Sequence, residues 1–230
     1  MGNKKLKFGV FACLLGFMGI ATAQDWPDLE HFKEENTKIG LPAEGEDRVV
    51  FMGNSITIGW LAHDPDFFKG KSYVNRGIGG QTTPQMLLRF QQDVIALRPK
   101  VVVILAGTND IAGNTGPTTV PAIMDNLKSM AQLARANQIK VILCSVLPAF
   151  DYPWRPGKEP NIKIPALNEL IRQYAKQNNL IHLDYFSAME DGNNGLKDSY
   201  TYDGVHPDKN GYKVMGPLAE EAIAKALEPK

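Results

Sequence analysis

The sequence predicts an α/β fold in which a parallel sheet carries helices on both faces. From Arg48 to the C-terminus, short apolar runs rich in β-branched residues alternate with longer segments of helical period. The run at residues 101–105 has no polar interruption, which is typical of a strand buried on both faces. The segments between the runs are long enough for crossover helices, and such βαβ units build parallel sheets.

The predicted elements follow one another in regular order. The strands are expected at residues 49–52, 73–74, 101–105, 141–143 and 180–183. Helices are expected at residues 84–97, at residues 120–136, around Leu167 to Tyr174, and in a last segment that ends near Leu227. Thr83 and Pro84 supply a cap and a first-turn proline for the first of these helices.

The first 23 residues form a predicted signal peptide. Lys4, Lys5 and Lys7 precede an apolar stretch at residues 8–20, and Ala21-Thr22-Ala23 offers a small-x-small cleavage site. The apolar stretch is shorter than the roughly 20 residues that a membrane span needs. We therefore expect export to the periplasm or the cell exterior and no membrane span after cleavage. Residues 24–47 are predicted to be an irregular lead-in, and residues 48–230 a single domain.

Composition excludes several classes of protein. Lysine plus arginine equals aspartate plus glutamate at 25 each, and no basic cluster lies beyond the N-terminus, so nucleic-acid binding is not expected. A dinucleotide fingerprint beginning at Gly77 lacks its third glycine, and neither an H-E-x-x-H nor a paired-cysteine metal motif is present. Cys144 is the single cysteine after cleavage, and its apolar surroundings predict a small buried hydrophobe.

The residues that can do chemistry gather in the loops that follow the predicted strands, where open α/β sheets bind ligands. Among the histidines, His206 has a carboxylate placed to orient it, because Asp203 lies three residues earlier across a glycine-containing turn. A surface turn with a chance aspartate and histidine is the alternative. The remaining histidines are interpreted as structural or solvated: His31, His63 and His182.

Ser55 follows the first predicted strand in Gly53-Asn54-Ser55-Ile56-Thr57 and opens the next helix. Its hydroxyl is therefore expected at the edge of the sheet, with its backbone N–H at the positive end of the helix. A nucleophile and a simple helix cap both fit this position. Gly77-Ile78-Gly79-Gly80 and Gly107-Thr108-Asn109-Asp110 follow the next two strands. A glycine N–H and the Asn109 amide can donate to an oxyanion, although a tight turn and an Asx-turn are the plainer interpretations.

The four motifs lie in the order 53–57, 75–80, 107–110 and 203–207 along the chain. Together they resemble those of the SGNH hydrolases, also called GDSL esterases. The resemblance runs from about Arg48 to the C-terminus. It implies a flavodoxin-like, three-layer α/β/α sandwich with a five-stranded parallel sheet, and neither a metal nor a cofactor. It also implies a catalytic triad of Ser55, Asp203 and His206, and an oxyanion hole formed by Ser55, Gly79 and Asn109. Supporting positions would be Asn114, Gly211 and Tyr212.

One departure from the family pattern is Asn54, which stands where an aspartate usually precedes the serine. We expect activity to survive, because asparagine still accepts and donates hydrogen bonds.

Substrate preference is predicted from the long, aromatic segment at residues 147–163. Tyr152 and Trp154 can stack on a sugar ring, and Trp60 can line the cleft near Ser55, although such rings can equally pin a loop to the body. We expect a serine esterase that releases short acyl groups, chiefly acetyl, from a small-molecule or glycan ester. The alternatives are a lysophospholipase, thioesterase or arylesterase of the same family, or a binding protein without catalysis.

Overall fold

The computed structural model describes residues 25–228, and these residues contain one sheet of five strands. The strands are β1 (Val49–Gly53), β2 (Tyr73–Gly77), β3 (Val101–Leu105), β4 (Lys140–Cys144) and β5 (Ile181–Leu183). All neighbouring strands are parallel, and their order is β2-β1-β3-β4-β5. The predicted five-stranded parallel sheet is confirmed. The predicted signal peptide lies outside the described residues.

Helices cover both faces of the sheet. Within the described residues they are α1 (Lys33–Ile39), α2 (Ser55–His63), α3 (Thr83–Asp93), α4 (Thr108–Ile111), α5 (Val120–Ala136), α6 (Pro160–Gln177), α7 (Tyr185–Met189) and α8 (Lys209–Leu227). Helices α3, α5 and α6 share one apolar core with the sheet, and α2, α7 and α8 share another. This arrangement confirms the three-layer α/β/α sandwich. None of these helices is long and apolar enough to cross a membrane.

Strand β3 lies between the two cores and explains the unbroken apolar run. Val102 and Ile104 pack with α3, α5 and α6, whereas Val101, Val103 and Leu105 pack with α2 and α8. Full burial of one such side chain stabilises the fold by about 1.5–3 kcal/mol. A polar residue at any of these positions would therefore face an apolar layer.

Cys144 occupies a comparable position at the end of β4. Its side chain is buried in the core beneath α8. Complete burial raises the pKa of the thiol well above its usual range. The residue therefore behaves as a small buried hydrophobe, as the sequence predicts.

The chain changes its direction of travel across the sheet between β1 and β3. The connection through α2 leads from β1 to the edge strand β2, and the connection through α3 returns past β1 to β3. From β3 the chain continues the other way, to β4 and β5. Such a reversal opens a crevice at the carboxyl ends of the two central strands, where open α/β sheets bind ligands.

The lead-in is more regular than the sequence predicts. Instead of an irregular stretch over residues 24–47, the structure contains α1. This helix has no buried residue, so it lacks the apolar period by which a helix is recognised in a sequence. Glu34 and Glu35 lie in its first turn and Lys38 in its last, an arrangement that the helix dipole favours.

Two helix boundaries also differ from the prediction. The helix expected at residues 84–97 ends at Asp93, and a 3₁₀ turn at Ile95–Leu97 follows. The residues of the turn remain apolar and largely buried, so the apolar spacing does not reveal the break. In the predicted loop at residues 147–163, α6 already begins at Pro160, a proline that suits the first turn of a helix.

Candidate active site

Ser55 lies at a sharp turn between β1 and α2. A side chain at Gly53 would place its Cβ 1.9 Å from Thr57 Oγ1, so the turn requires glycine. The Asn54 side chain caps the helix by accepting a hydrogen bond from the Ile56 N–H at 3.0 Å. Asn54, and not Ser55, therefore caps α2, and the serine hydroxyl is free for another contact.

That hydroxyl contacts His206, which in turn contacts Asp203. Ser55 Oγ lies 3.0 Å from His206 Nε2, and His206 Nδ1 lies 2.7 Å from Asp203 Oδ2. The structure thus brings the predicted serine, histidine and aspartate into one hydrogen-bonded chain. When Nδ1–H donates to Asp203, Nε2 is left to accept the proton of the serine.

A tight turn holds the histidine and the aspartate. Asp203 Oδ1 accepts hydrogen bonds from the backbone N–H groups of Val205 at 2.9 Å and His206 at 2.7 Å. Gly204 between them has a positive φ of 83°, a conformation that glycine adopts readily. One carboxylate oxygen therefore builds the turn, and the other orients the imidazole.

Hydrogen bonds also set the charge of Asp203. Partial burial by itself raises the pKa of this carboxyl, but the hydrogen bonds from the backbone and ring of His206 and from the Val205 backbone together outweigh it. The net pKa lies below the ordinary value for aspartate. The carboxylate is therefore ionised and able to stabilise an imidazolium ring.

Two backbone N–H groups at the strand ends have no acceptor. Those of Ser55 and Gly79 donate no hydrogen bond to any residue between 25 and 228. The two residues follow neighbouring strands, whose last residues Gly53 and Gly77 are paired in the sheet. A Cβ added at Gly79 would meet nothing within 4 Å, so this side of the loop is open. Both N–H groups are available to a developing oxyanion.

Asn109 follows β3, the other neighbour of β1. The residue is 4% exposed, and its Nδ2 donates a hydrogen bond of 2.9 Å to the Gln81 carbonyl. An amide nitrogen carries two hydrogens, so one remains for a ligand. Gly107, with a φ of 128°, lets the chain turn from β3 directly into α4.

Asp110 is a buried carboxyl to which the sequence analysis gave no role. It accepts hydrogen bonds from the Thr83 N–H at 3.0 Å and the Thr83 hydroxyl at 2.5 Å. Burial raises the pKa of Asp110 to about 6, although the hydrogen bonds from Thr83 oppose that shift. The residue ties the turn that carries Asn109 to the start of α3. Its only signal in the sequence is its place beside Asn109.

The residues expected to be supporting positions, Asn114, Gly211 and Tyr212, contact the loops of the site. Asn114 Nδ2 donates to the Gly80 carbonyl at 2.9 Å, and the Tyr212 hydroxyl donates to the Ile56 carbonyl at 2.7 Å. A Cβ at position 211 would lie 2.4 Å from the Tyr200 carbonyl oxygen, so α8 can approach that loop only with glycine there.

Two aromatic residues proposed from the sequence to contact substrate are buried, and that prediction is wrong. Trp60 is 2% exposed and stacks on Phe67 with the ring centroids 4.2 Å apart. Tyr152 is fully buried, and its hydroxyl donates to the Thr108 carbonyl at 3.0 Å. Trp60 completes a core contact of α2, and Tyr152 fixes its loop, so neither ring presents a face to a ligand.

The third proposed aromatic residue, Trp154, does lie at the surface of the site. It is 43% exposed, and its ring centroid is 5.6 Å from that of His206. Tyr202, which the sequence analysis missed, is 62% exposed and lies nearly parallel to the His206 ring at 5.9 Å. The sequence feature that could have revealed Tyr202 is its position directly before Asp203.

The other histidines have different surroundings. His31 pairs with Asp28 at 3.1 Å on the surface, and His63 stacks on Tyr202 at 5.8 Å. His182 lies in β5, where burial lowers the pKa of its ring. Among the described histidines, only His206 makes a hydrogen bond to Ser55.

A serine hydroxyl joined to a histidine–aspartate pair, beside N–H groups without acceptors, is an arrangement suited to acyl transfer. On this flavodoxin-like sandwich it defines the class of the protein as an α/β/α hydrolase. Residues 51–214 match the GDSL-like Lipase/Acylhydrolase family, and the chain belongs to that family. The protein is therefore a carboxylic ester hydrolase, and the resemblance to the SGNH hydrolases is confirmed.

Relatives share most of the chain. A GDSL-like lipase from Bacteroides thetaiotaomicron, known from its crystal structure, superposes with a TM-score of 0.85 at 48% identity, covering 87% of this chain and 99% of that one. Platelet-activating factor acetylhydrolase IB subunit alpha1 from Bos taurus is 29% identical over 212 residues, which are 88% of this chain and 84% of the relative. An acetylxylan esterase from Xylanibacter ruminicola is 28% identical over 223 residues, covering 80% of this chain and 45% of the relative.

Proposed function

We propose that this protein is an exported serine esterase that removes short acyl groups, chiefly acetyl, from carbohydrate. The observation that carries the proposal is the hydrogen-bonded chain from Ser55 Oγ through His206 to Asp203, with distances of 3.0 and 2.7 Å. In this proposal the chain's own side chains supply the nucleophile, the base and the acid.

The first step forms an acyl-enzyme. Ser55 Oγ attacks the carbonyl carbon of the ester while its proton passes to His206 Nε2, and the carbonyl oxygen becomes an oxyanion. The N–H groups of Ser55 and Gly79 and the free hydrogen of the Asn109 amide donate to that oxygen. The tetrahedral intermediate then collapses. The bond to the alcohol oxygen breaks, and His206 gives its proton to the departing alcohol.

The second step releases the acid. Water attacks the carbonyl carbon of the acyl-enzyme and loses a proton to His206 Nε2. Collapse of the second tetrahedral intermediate breaks the bond to Ser55 Oγ, which takes the proton back from His206. Asp203 keeps its negative charge throughout and stabilises the imidazolium in each step. The products are a carboxylic acid, the alcohol and the original enzyme.

The aromatic rings at the site support a carbohydrate as the alcohol part of the ester. His206 must reach the departing alcohol oxygen, so groups beside its ring border the alcohol part and not the acyl part. Trp154 and Tyr202 are exposed, and both ring centroids lie within 6 Å of the His206 ring. Such rings offer apolar faces to the C–H surface of a pyranose while polar groups around them remain hydrated.

The names of two relatives support acetyl as the acyl group. One is called an acetylhydrolase and the other an acetylxylan esterase, and the second name specifies a carbohydrate.

The loop that carries Trp154 is anchored, because Arg155 Nη1 donates to the Gly113 carbonyl at 2.5 Å and to the Ala112 carbonyl at 3.3 Å. An anchored loop favours a small ester at an open site over a bulk lipid beneath a moving lid.

Export is supported by the sequence pattern of residues 1–23, in which a basic start, an apolar stretch and a small-x-small site follow one another. Pulse-labelling of the full chain in a Gram-negative host tests this part. A shorter product found in the periplasm or medium, beginning at Gln24, is the expected result. Retention of the full-length chain in the cytosol would contradict export.

Hydrolysis of p-nitrophenyl acetate, butyrate and octanoate by residues 24–230 tests the reaction, with Ser55→Ala as the control. We expect the highest kcat/KM on the acetate, and a loss of at least about 10⁴-fold in the control. Equal inactivity of both proteins on all three esters would instead favour a binding protein.

A second comparison tests the substrate class. Acetate release from acetylated xylo-oligosaccharides is measured beside acyl release from a long-chain lysophospholipid, under the same conditions. The proposal requires the larger kcat/KM on the acetylated carbohydrate. A clear preference for the lysophospholipid would leave a serine esterase but replace carbohydrate by lipid.

A further inference from the structure

A pair of buried arginines lies behind the strand ends that lead to Ser55 and Gly79. Arg76 in β2 and Arg89 in α3 are both fully buried. Arginine is almost never fully buried unless it is paired, because its five N–H donors need acceptors. Neither residue contacts the hydroxyl, imidazole or carboxylate that carry out the proposed acyl transfer, so their burial needs another explanation.

One nitrogen of Arg89 joins the ends of β1 and β2. Nη2 donates to the Gly53 carbonyl at 3.1 Å and to the Arg76 carbonyl at 2.9 Å. Gly53 lies two residues before Ser55, and Arg76 lies three residues before Gly79. The same guanidinium therefore fixes the spacing of the two turns that present the N–H groups without acceptors.

Another nitrogen of Arg89 reaches the third oxyanion donor through one residue. Nε donates to Gln81 Oε1 at 2.6 Å, and the backbone carbonyl of Gln81 accepts the hydrogen bond from Asn109 Nδ2 at 2.9 Å. Arg89 thus contacts the backbone shortly before Ser55 and Gly79, and it connects to the Asn109 side-chain amide through Gln81.

Arg89 is itself held by a buried ion pair. Nη1 donates to Asp93 Oδ2 at 2.9 Å, one turn further along α3, and both side chains are fully buried. Burial lowers the pKa of Arg89, and the interaction with Asp93 works against that shift. Because the guanidinium remains charged in a protein, this carboxylate is needed to balance it.

The segment at residues 26–36, here called the strap, covers the arginine pair. The ring of Phe32 lies 4.4 Å from Arg76 Cζ and 5.9 Å from Arg89 Cζ, in the range of cation–π contact. Asn36 bridges the cluster, because its Oδ1 accepts from Arg76 Nε at 2.9 Å and its Nδ2 donates to Asp93 Oδ1 at 2.7 Å.

The strap also completes the charge balance. Glu35 pairs with Arg76 Nη1 at 2.9 Å, so Glu35 and Asp93 together face the two arginines. The Pro27 carbonyl accepts a hydrogen bond from Gln81 Nε2 at 2.8 Å, which holds the other end of that side chain. The strap precedes residue 51, where the match to the family begins. It therefore lies outside the residues that the family model matches.

We propose that Arg89 is a positioning residue for the oxyanion hole and that the strap keeps it in place. The inference rests on the roles proposed above for Ser55, Gly79 and Asn109. Arg89 sets the relative positions of three donors that come from three separate loops. A displacement of about 1 Å in a positioned group can lower turnover by roughly 10²-fold.

The test measures two reactions that both create charge in the oxyanion hole. One is hydrolysis of p-nitrophenyl acetate, and the other is the rate at which a fluorophosphonate labels Ser55. The endpoint of labelling counts intact sites, so kcat is expressed per labelled site and a loss of folded protein is not mistaken for a loss of turnover. The variants are Arg89→Met, which removes the donors, and Asn36→Ala, which loosens the strap. Lys38→Ala is the control, because Lys38 is exposed on the surface of α1, where its side chain pairs with Glu34.

We expect Arg89→Met to lower kcat per site and the labelling rate by about 10²-fold each, with KM within about 2-fold of wild type. Asn36→Ala should lower both rates by about 5-fold, and Lys38→Ala should change neither. Rates per site that equal wild type in Arg89→Met would overturn the inference. If Arg89→Met does not fold, equal rates in Asn36→Ala decide against it in the same way.

The two proposals can fail separately. A wild-type protein that neither hydrolyses esters nor reacts with the fluorophosphonate overturns the proposed function together with this inference. A wild-type protein that reacts normally, beside variants that react equally well per site, overturns only the role of Arg89 and leaves the serine esterase intact.

Discussion

The side-chain amide of Asn109 is held by the backbone carbonyl of Gln81, with 2.9 Å between Nδ2 and that oxygen. A carbonyl accepts but cannot donate, so the nitrogen end of the amide must face Gln81. This contact fixes which end of Asn109 is the donor. It also links the loop after β3 to the loop after β2, on which Gly79 lies.

Replacement of Asn109 tests that donor. Asn109→Ala should lower kcat for p-nitrophenyl acetate by about 10²–10³-fold with a smaller change in KM, because the lost hydrogen bond forms to the oxyanion. Asn109→Asp should be at least as damaging, since a carboxylate oxygen would then face both the Gln81 carbonyl and the developing charge. A variant of either kind with a raised KM and an unchanged kcat would place Asn109 in substrate binding instead.

Asn54 is expected to be exchangeable for aspartate. Its Oδ1 accepts the Ile56 N–H at the start of α2, and an aspartate oxygen can accept the same bond. Asn54→Asp should therefore keep kcat within about 3-fold, whereas Asn54→Ala should lower the free energy of unfolding by about 1 kcal/mol. Urea unfolding and ester hydrolysis check the two variants together. Inactivity of a well-folded Asn54→Asp would show that the charge at this buried position matters.

The acidic limb of the pH profile is expected to have a slope of one. Protonation of His206 removes the base that accepts the serine proton, so log kcat/KM falls toward acidic pH. Hydrogen bonds hold the pKa of Asp203 below its ordinary value, so this carboxyl adds no second proton over the same range. Initial rates measured across the limb with p-nitrophenyl acetate check the slope. A slope approaching two would mean that Asp203 is protonated together with His206.

Asp110 is expected to make stability fall as pH rises through the mildly acidic range. Its pKa is about 6 in the folded protein, against about 3.9 for an aspartate in an unfolded chain. Between about pH 4 and 6 the folded state binds more protons at this residue, so the free energy of unfolding decreases with rising pH. The free energy of unfolding is measured with urea at several pH values across this window. Its slope against pH should be less negative in Asp110→Asn than in wild type. Equal slopes would contradict a raised pKa.

Trp154 and Tyr202 are expected to affect carbohydrate substrates selectively. Trp154→Ala and Tyr202→Ala should each raise KM for acetylated xylo-oligosaccharides by about 3–10-fold, because each removes an exposed aromatic face. Hydrolysis of ethyl acetate, which has no ring to stack, should change little when followed by titration of the released acid. Tyr202→Phe keeps the ring and serves as the matched control. Equal losses on both esters would point to a disturbed His206 instead of a lost contact with the sugar.

The fold and the residues of the hydrogen-bonded candidate site were predictable because their signals are local. The alternation of buried strands with amphipathic helices follows from spacing along the chain, and it led to the sheet and to both helical layers. Ser55 and His206 were found because each falls directly after a strand or in a short turn with its partner. The order of the strands then brings these loops to one edge of the sheet.

The aromatic and arginine contacts were not predictable, because they depend on partners from distant parts of the chain. A tryptophan five residues after Ser55 suggests a position in the cleft, but Trp60 is buried and stacks on Phe67. Tyr152 is buried, and its hydroxyl forms a hydrogen bond to Thr108. The sequence around Arg89 suggests a solvated position on a helix, yet three of its four acceptors come from β1, β2 and the loop after β2. The spacing of residues along a sequence does not reveal such contacts between distant segments.

Ser55 and His206 are 151 positions apart in the chain, and they meet in one hydrogen bond. The proposed nucleophile is therefore synthesised long before its proposed base, and the two become neighbours only when the loop that carries His206 has packed against the turn after β1. A chain released early, or one whose C-terminal helix has detached, would carry an intact serine that does nothing. Turnover thus reports on completion of the whole domain, and it can serve as a sensitive assay of refolding.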